Sequence, residues 1–305
     1  MRTAIEINNL SKSYGDIQAL DCITCSVNEG ELFGLIGPDG AGKSTLYQIL
    51  ATLLQADSGA AYMHGFDTTT QYRDIRNIIG YMPEKFSLYP DMTVAENLEF
   101  FASLFGVRVQ DNYSLIAPVF SQLEKFPNRM AGKLSGGMKQ KLALSCALIH
   151  KPSILLLDEP TTGVDAVSRS EFWDMLKSLR SNGITILVST SYMDEATLCD
   201  RIAMIDHGKI LRTGTPDELV SGFGANLYDV AGSDMFKLLS IIREIPEVTN
   251  SYTFGATLRI VTTDSFAPSN IEKTLHDKGF TDVTIRPAKP TIEDLFIKLA
   301  GNNDE

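Results

Sequence analysis

The chain has no run of about 18 apolar residues, the length a helix needs to cross a bilayer. Its longest candidates, Ile154–Leu157 and Ile184–Val188, are strand-length. The N-terminal stretch MRTAIEINNL lacks the apolar core and cleavage site of a signal peptide. These absences predict a soluble, cytoplasmic protein that reaches a membrane only through a partner. Basic residues are outnumbered, 27 Lys and Arg against 38 Asp and Glu, for a formal charge of −11. That balance argues against clamping nucleic acid through its phosphates, and no Lys/Arg cluster is present to hold an anionic membrane. Cysteine is scarce. Of the 4 present, Cys22 and Cys25 have C-x-x-C spacing, but no second pair or nearby histidine completes a zinc site. They read as small apolar residues in a reducing compartment. Repeats and low-complexity tracts are lacking as well.

What is present is an alternation of strand and helix signals across 305 residues, enough for a large domain and a small one. Ala4–Leu10, Ala19–Val27 and Leu32–Ile36 read as short strands broken at Tyr14-Gly15 and Glu29-Gly30. A Gly-rich loop and a helix over Ser44–Leu54 follow. From Met92 to Val107 apolar residues recur at helical spacing behind Thr93, a plausible N-cap, opening a mainly helical insert over about 84–150. Strand Ser153–Leu157, a helix through Phe172, Leu176 and Leu179, and strand Ile184–Ser189 make a βαβ crossover. The pattern resets near Ser221–Gly224. Beyond it we read strand Leu227–Val230, helix Met235–Arg243, strands Val248–Phe254 and Thr257–Thr262, helix Ile271–Lys278, strand Asp282–Arg286 and helix Thr291–Leu299. That order is ferredoxin-like. The expected domains are therefore 1–222 and a small α+β domain over 226–301.

Gly37-Pro38-Asp39-Gly40-Ala41-Gly42-Lys43-Ser44 fits G-x-x-x-x-G-K-S/T between a strand and a helix. Its glycines let successive N–H groups face a phosphate, the helix N-terminus adds partial positive charge, Lys43 supplies an ammonium and Ser44 a hydroxyl for Mg²⁺. A second signal is independent: the apolar strand Ile154–Leu157 delivers Asp158 and Glu159 beside that loop. Asp158 would hold Mg²⁺ through its water shell, and Glu159 would polarise the attacking water.

With Leu134-Ser135-Gly136-Gly137-Met138-Lys139-Gln140 upstream of Asp158, the chain resembles the ABC transporter ATPases. The resemblance implies an α/β P-loop ABC cassette of mixed sheet core, antiparallel β subdomain and helical subdomain. It also implies a head-to-tail dimer with two ATP molecules at the interface. Ser135, Gly136 and Gly137 would then meet the partner's ATP. Tyr14 sits where the family stacks an aromatic on adenine, Thr45 follows the P-loop serine, and Asp165 matches the loop crossing the interface. The tail, through Lys289-Pro290-Thr291-Ile292-Glu293-Asp294-Leu295-Phe296, looks like that of drug- and antibiotic-type exporters. In detail the chain is most similar to the first ATPase half of YbhF-type tandem exporters.

Two positions depart from the family pattern. Glu84 replaces the usual glutamine after Met82-Pro83, where the side chain meets Mg²⁺ and the loop contacts the membrane subunit. Ser191 replaces the switch histidine, and serine can neither reach as far nor carry charge. Either turnover is depressed, or Glu159 dominates and the variant is tolerated. The resemblance thus implies an exporter ATPase on the cytoplasmic face of the cell membrane, driving a separate membrane subunit beside a second ATPase subunit, a copy or a different chain. A ribosome-acting ABC protein would carry two cassettes and a charged linker. A chromosome-structure ATPase would need a coiled coil where Gly37 to Ser135 is too short. A binding module without turnover stays open through Ser191.

Overall fold

Leu32–Ile36 is buried at every position, as befits a strand covered on both faces of a parallel sheet. The structure, a computed structural model, describes residues 2–85, 87–277 and 279–301. The chain divides into two compact units, Met1–Pro216 and Asp217–Glu305.

In the first unit β1 (Thr3–Tyr14) and β2 (Ile17–Asn28) form an antiparallel hairpin, longer at both ends than the alternating apolar residues suggest. Four register shifts along it let polar residues share the strands with the core. β3 (Leu32–Ile36) leads through the Gly-rich loop to α1 (Lys43–Leu50). That helix stops short of the expected Leu54, with Thr52 in the left-handed region at φ 60°. β4 (Ser58–Met63) returns to pair with β1 and carries β5 (Phe66–Asp67), giving an antiparallel sheet of order β2-β1-β4-β5.

α2 (Tyr72–Ile78) runs into β6 (Ile79–Met82), and the helical insert follows as α3 (Val94–Leu104), α4 (Val109–Phe120), a 3-10 turn at Ala131–Lys133 and α5 (Gly136–Leu148). α3 is shorter than the apolar spacing because Thr93 caps it: its hydroxyl accepts from Glu96 N at 3.2 Å while Glu96 accepts from Thr93 N at 2.7 Å. β7 (Ile154–Leu157), α6 (Ala166–Ser181), β8 (Thr185–Thr190), β9 (Arg201–Asp206) and β10 (Lys209–Gly214) complete a six-stranded sheet ordered β10-β9-β3-β8-β7-β6. Only the β10–β9 pair is antiparallel. The loops after β3, β7 and β8 therefore emerge at one edge, where ligands bind in such sheets.

α7 (Pro216–Ser221) follows, and the second unit then runs β11 (Asn226–Ala231), α8 (Met235–Ile242), β12 (Val248–Phe254), β13 (Thr257–Thr262), α9 (Pro268–Asp277), β14 (Thr284–Pro287) and α10 (Ile292–Gly301). Its antiparallel sheet is ordered β12-β13-β11-β14, the ferredoxin-like arrangement. Val230, Leu238, Leu258, Ile260 and Leu275 form its own core. α9 starts at Pro268, before the expected Ile271, since proline suits a first helical turn. Lys278, the expected end of that helix, lies outside the described residues. Among the described residues no helix is long and apolar enough to cross a membrane.

Candidate active site

Backbone crowding explains the glycines of the loop between β3 and α1. A Cβ at Gly37 would lie 2.1 Å from the Ile205 carbonyl, and one at Gly42, where φ is 103°, 2.3 Å from that of Ala19. The loop closes over its own lysine. Lys43 is 5 % exposed, and its ammonium donates to the carbonyls of Gly37 at 2.7 Å and Pro38 at 2.9 Å. A third partner is Glu159 Oε1 at 2.9 Å. A buried ammonium with two hydrogen-bonded carbonyls and an ion pair is compensated, although Glu159 Oε1 itself takes no hydrogen bond.

At the end of β7 both acids are buried, Asp158 at 2 % and Glu159 at 5 % exposed. Glu159 sits at φ 49°, a left-handed backbone costing about 1–3 kcal/mol for a residue with a side chain. Ser189, at the end of β8, ties the two acids together: its hydroxyl accepts from Glu159 N at 2.9 Å and donates to Asp158 Oδ1 at 2.7 Å. Glu159 Oε2 accepts from Thr162 Oγ1 at 3.0 Å and from Ser191 N at 3.2 Å. Burial pushes the Asp158 carboxyl above its usual range; hydrogen bonds from Ser189 and Ser44 oppose this, while Glu159 and Glu84 add to it. Burial and the Asp158 charge likewise push the phenol of fully buried Tyr47 well above its usual range.

Tyr14, Asp39, Gly40, Gly42, Lys43, Ser44, Thr45, Glu84 and Glu159 all line one cleft of about 550 Å³. Pro38 and Gly37 reach it through the lysine, and Ala41 is buried behind it, its carbonyl accepting from Gly208 N at 3.1 Å. Tyr14, 48 % exposed, is open to a flat ligand. The facing oxygens of Ser44, Asp158 and Glu84 are hard donors of the kind Mg²⁺ accepts. Among the described residues no cluster of three or more His, Cys, Asp or Glu could hold a metal alone; Mg²⁺ commonly takes one or two carboxylates and completes its shell with phosphates and water.

Ser135, Gly136, Gly137 and Asp165 do not line this cleft. They form a second cluster. Ser135 caps α5, accepting from Met138 N at 3.4 Å, and Asp165 caps α6, accepting from Val167 N and Ser168 N. The two caps pack together: a Cβ on Gly136 would meet the Gly163 carbonyl at 3.3 Å, and one on Gly137 the Ser168 side chain at 2.7 Å. Three residues have cleft-related roles that the sequence did not assign: Ser189, His207 at the mouth, and Glu195, which is buried behind the Ser191 loop. A serine closing an otherwise apolar strand was the available signal for Ser189.

A family model described as "ABC transporter" matches residues 20–162. The "Probable multidrug ABC transporter ATP-binding protein YbhF" of Escherichia coli is 39 % identical over 303 residues, covering 97 % of this chain and 52 % of that protein. The chain thus spans about half the length of that relative. The "Nod factor export ATP-binding protein I" of Sinorhizobium fredii is 36 % identical, covering 98 % of this chain and 86 % of its own. Among solved structures, an "ATP binding subunit of ABC transporter" superposes with a TM-score of 0.66 at 28 % identity, over 73 % of this chain and 94 % of that one. The "ATP-binding cassette MJ0796 bound to ADP and Pi", a dimer in a post-hydrolysis state, gives 0.63 at 28 % identity over 69 % and 98 %.

Proposed function

Since the chain belongs to the ABC transporter ATP-binding proteins, we propose that it binds MgATP in the cleft around Lys43 and hydrolyses it to drive export through a separate membrane subunit. The observation that carries this reading is the convergence of Lys43, Ser44, Glu159 and Glu84 on one cleft at the sheet edge, with buried Asp158 hydrogen-bonded to Ser44 and Ser189 behind it. Backbone N–H groups of Gly40–Thr45 and the Lys43 ammonium oppose the phosphate charge, and Tyr14 offers its ring to the base. Ser44 and Glu84 would hold Mg²⁺ directly and Asp158 through its water shell, and the ion would supply positive charge against the phosphate oxygens. Glu159, already fixed by Thr162 and Ser191, orients the attacking water and takes its proton.

The Ser135–Gly137 cluster faces a second ATPase subunit and completes that subunit's site. Two features favour a different chain over a second copy. Ser191 offers Glu159 only a backbone N–H and a hydroxyl at 3.5 Å, and Glu84 adds negative charge beside the phosphate. The chain accordingly binds ATP firmly, turns it over slowly and supplies an intact signature to a faster partner. Beside the Glu84 loop lies an apolar groove of about 350 Å³ walled by Met82, Leu88, Phe101, Phe105 and His150, which suits an element of the membrane subunit. Docked there, the chain would work at the cytoplasmic membrane face.

Equilibrium binding tests the reading. Lys43→Ala removes the main cation in the cleft and abolishes measurable MgATP binding while the protein stays folded. Wild-type affinity in that variant would overturn the assignment of the cleft.

A further inference from the structure

We propose that Glu195 is a positioning residue for Glu159, one that steadies Thr162 and Ser191, the residues that hydrogen-bond Oε2 of the catalytic carboxylate, without touching it. The inference rests on the ATPase reading above and deepens it.

Glu195 is 3 % exposed. Its Oε2 accepts from Thr161 Oγ1 at 3.1 Å and Thr190 Oγ1 at 2.6 Å. Its Oε1 has no hydrogen bond, and Arg169 Nε lies 3.8 Å away. A buried carboxylate so thinly compensated is costly to keep. Shape and packing alone would be served better by an apolar side chain.

The two threonines show what the carboxylate secures. Thr161 directly precedes Thr162, whose hydroxyl donates to Glu159 Oε2 at 3.0 Å. Thr190 directly precedes Ser191, whose N–H donates to the same oxygen at 3.2 Å. Thr190 Oγ1 also accepts from Tyr192 N at 3.0 Å, closing the turn that presents Ser191. One oxygen of Glu195 therefore joins the loop after β7 to the loop after β8, and both loops aim their next residue at Glu159. Since Glu159 holds a left-handed backbone, its side chain depends on outside partners for its direction. Arg169 adds a third tie, lying against Glu195 and, at 4.7 Å, over the Tyr192 ring. Glu195 itself contacts neither Lys43, Ser44 nor the P-loop backbone; Lys43 meets this arrangement only through Glu159 Oε1, at 2.9 Å, so the effect falls on turnover far more than on nucleotide binding.

Single-turnover hydrolysis, with protein in excess over MgATP, and displacement of a fluorescent ATP analogue separate the two. Glu195→Ala lowers the hydrolysis rate about 10- to 100-fold, the scale of a misplaced catalytic group, with nucleotide affinity within about twofold of wild type. Thr161→Val with Thr190→Val keeps volume and removes only the hydroxyls; it gives the same loss, and adding Glu195→Ala to it costs little more. Glu195→Gln keeps an acceptor oxygen and recovers most of the rate. Unchanged hydrolysis in the threonine double variant, or affinity falling in step with rate, would overturn the proposal, and the threonine pair decides even if Glu195→Ala fails to fold. Failure of the parent reading is separate: it appears as intact MgATP binding in Lys43→Ala.

Discussion

Lys43 Nζ and Glu159 Oε1 stand 2.9 Å apart, each side chain 5 % exposed. The cation expected to meet phosphate is thus paired with the acid expected to activate water. Incoming phosphate must share the ammonium with a buried carboxylate, and an ATP-sized anion must tolerate that carboxylate nearby.

Glu159→Gln therefore binds MgATP more tightly than wild type, by up to about tenfold, because a competing charge is removed and the size is kept. Isothermal titration measures it. Weaker binding would show that the pair holds the cleft open instead of competing with the ligand.

Asp158 gives a pH signature. Burial raises its carboxyl above the usual range, so its contribution to the stability of the nucleotide-free protein is full below its unfolded pKa and is lost as pH rises through the folded value. Asp158→Asn avoids that loss and melts a few degrees higher at pH 7. The gap to wild type narrows on acidification, as Asp158 takes up its proton. A gap that widens toward acid would contradict this assignment.

The P-loop, the Asp158-Glu159 pair and the signature were legible because each is a short contiguous string whose chemistry depends on local geometry. The ferredoxin-like element order of the second unit was legible for the same reason, through alternation and turn residues. Ser189 was not, because its role arises when β7 and β8 lie side by side and bring it between Asp158 and the Glu159 backbone. Glu195 was hidden in the same way: it reads as one more acid in Met193-Asp194-Glu195, and only folding buries it against Thr161 and Thr190. The early end of α1 and the register shifts of the β1–β2 hairpin likewise reflect tertiary fit, which overrides apolar spacing.

In the second unit Asp294 is fully buried and accepts from Arg259, from Tyr252 Oη at 2.6 Å and from Thr291 N at 2.6 Å. Burial alone would raise its carboxyl, but these hydrogen bonds outweigh it and hold it below the usual range. That stability is present above the unfolded pKa and lost as pH falls through the folded one. Asp294→Ala leaves Arg259 with Asp229 alone, 2.9 Å away, takes the acceptor from Tyr252 and Thr291, and costs the second unit up to about 3 kcal/mol, read by denaturant melting. MgATP binding persists in this variant and in a chain ending near Gly222; its loss in both would show that the two units do not fold independently.

The proposed asymmetric pairing makes opposite demands on two serines. Ser191→His raises turnover, since imidazole reaches the phosphate and can carry charge. Ser135→Arg leaves this chain's own MgATP affinity intact yet strongly impairs ATPase activity of the assembled pair, by placing charge and bulk at the partner's phosphate. Phosphate release by each variant, alone and in the pair, distinguishes the two. Vigorous cooperative turnover by the wild-type chain alone would favour a self-sufficient homodimer.

The most direct test is phosphate release from MgATP by the wild-type protein and by Glu159→Gln, measured in single turnover with binding confirmed in the same samples. The account predicts slow but definite release by wild type and a loss of about 10²-fold or more in the variant, with ATP still bound. Release at the wild-type rate from Glu159→Gln would contradict it.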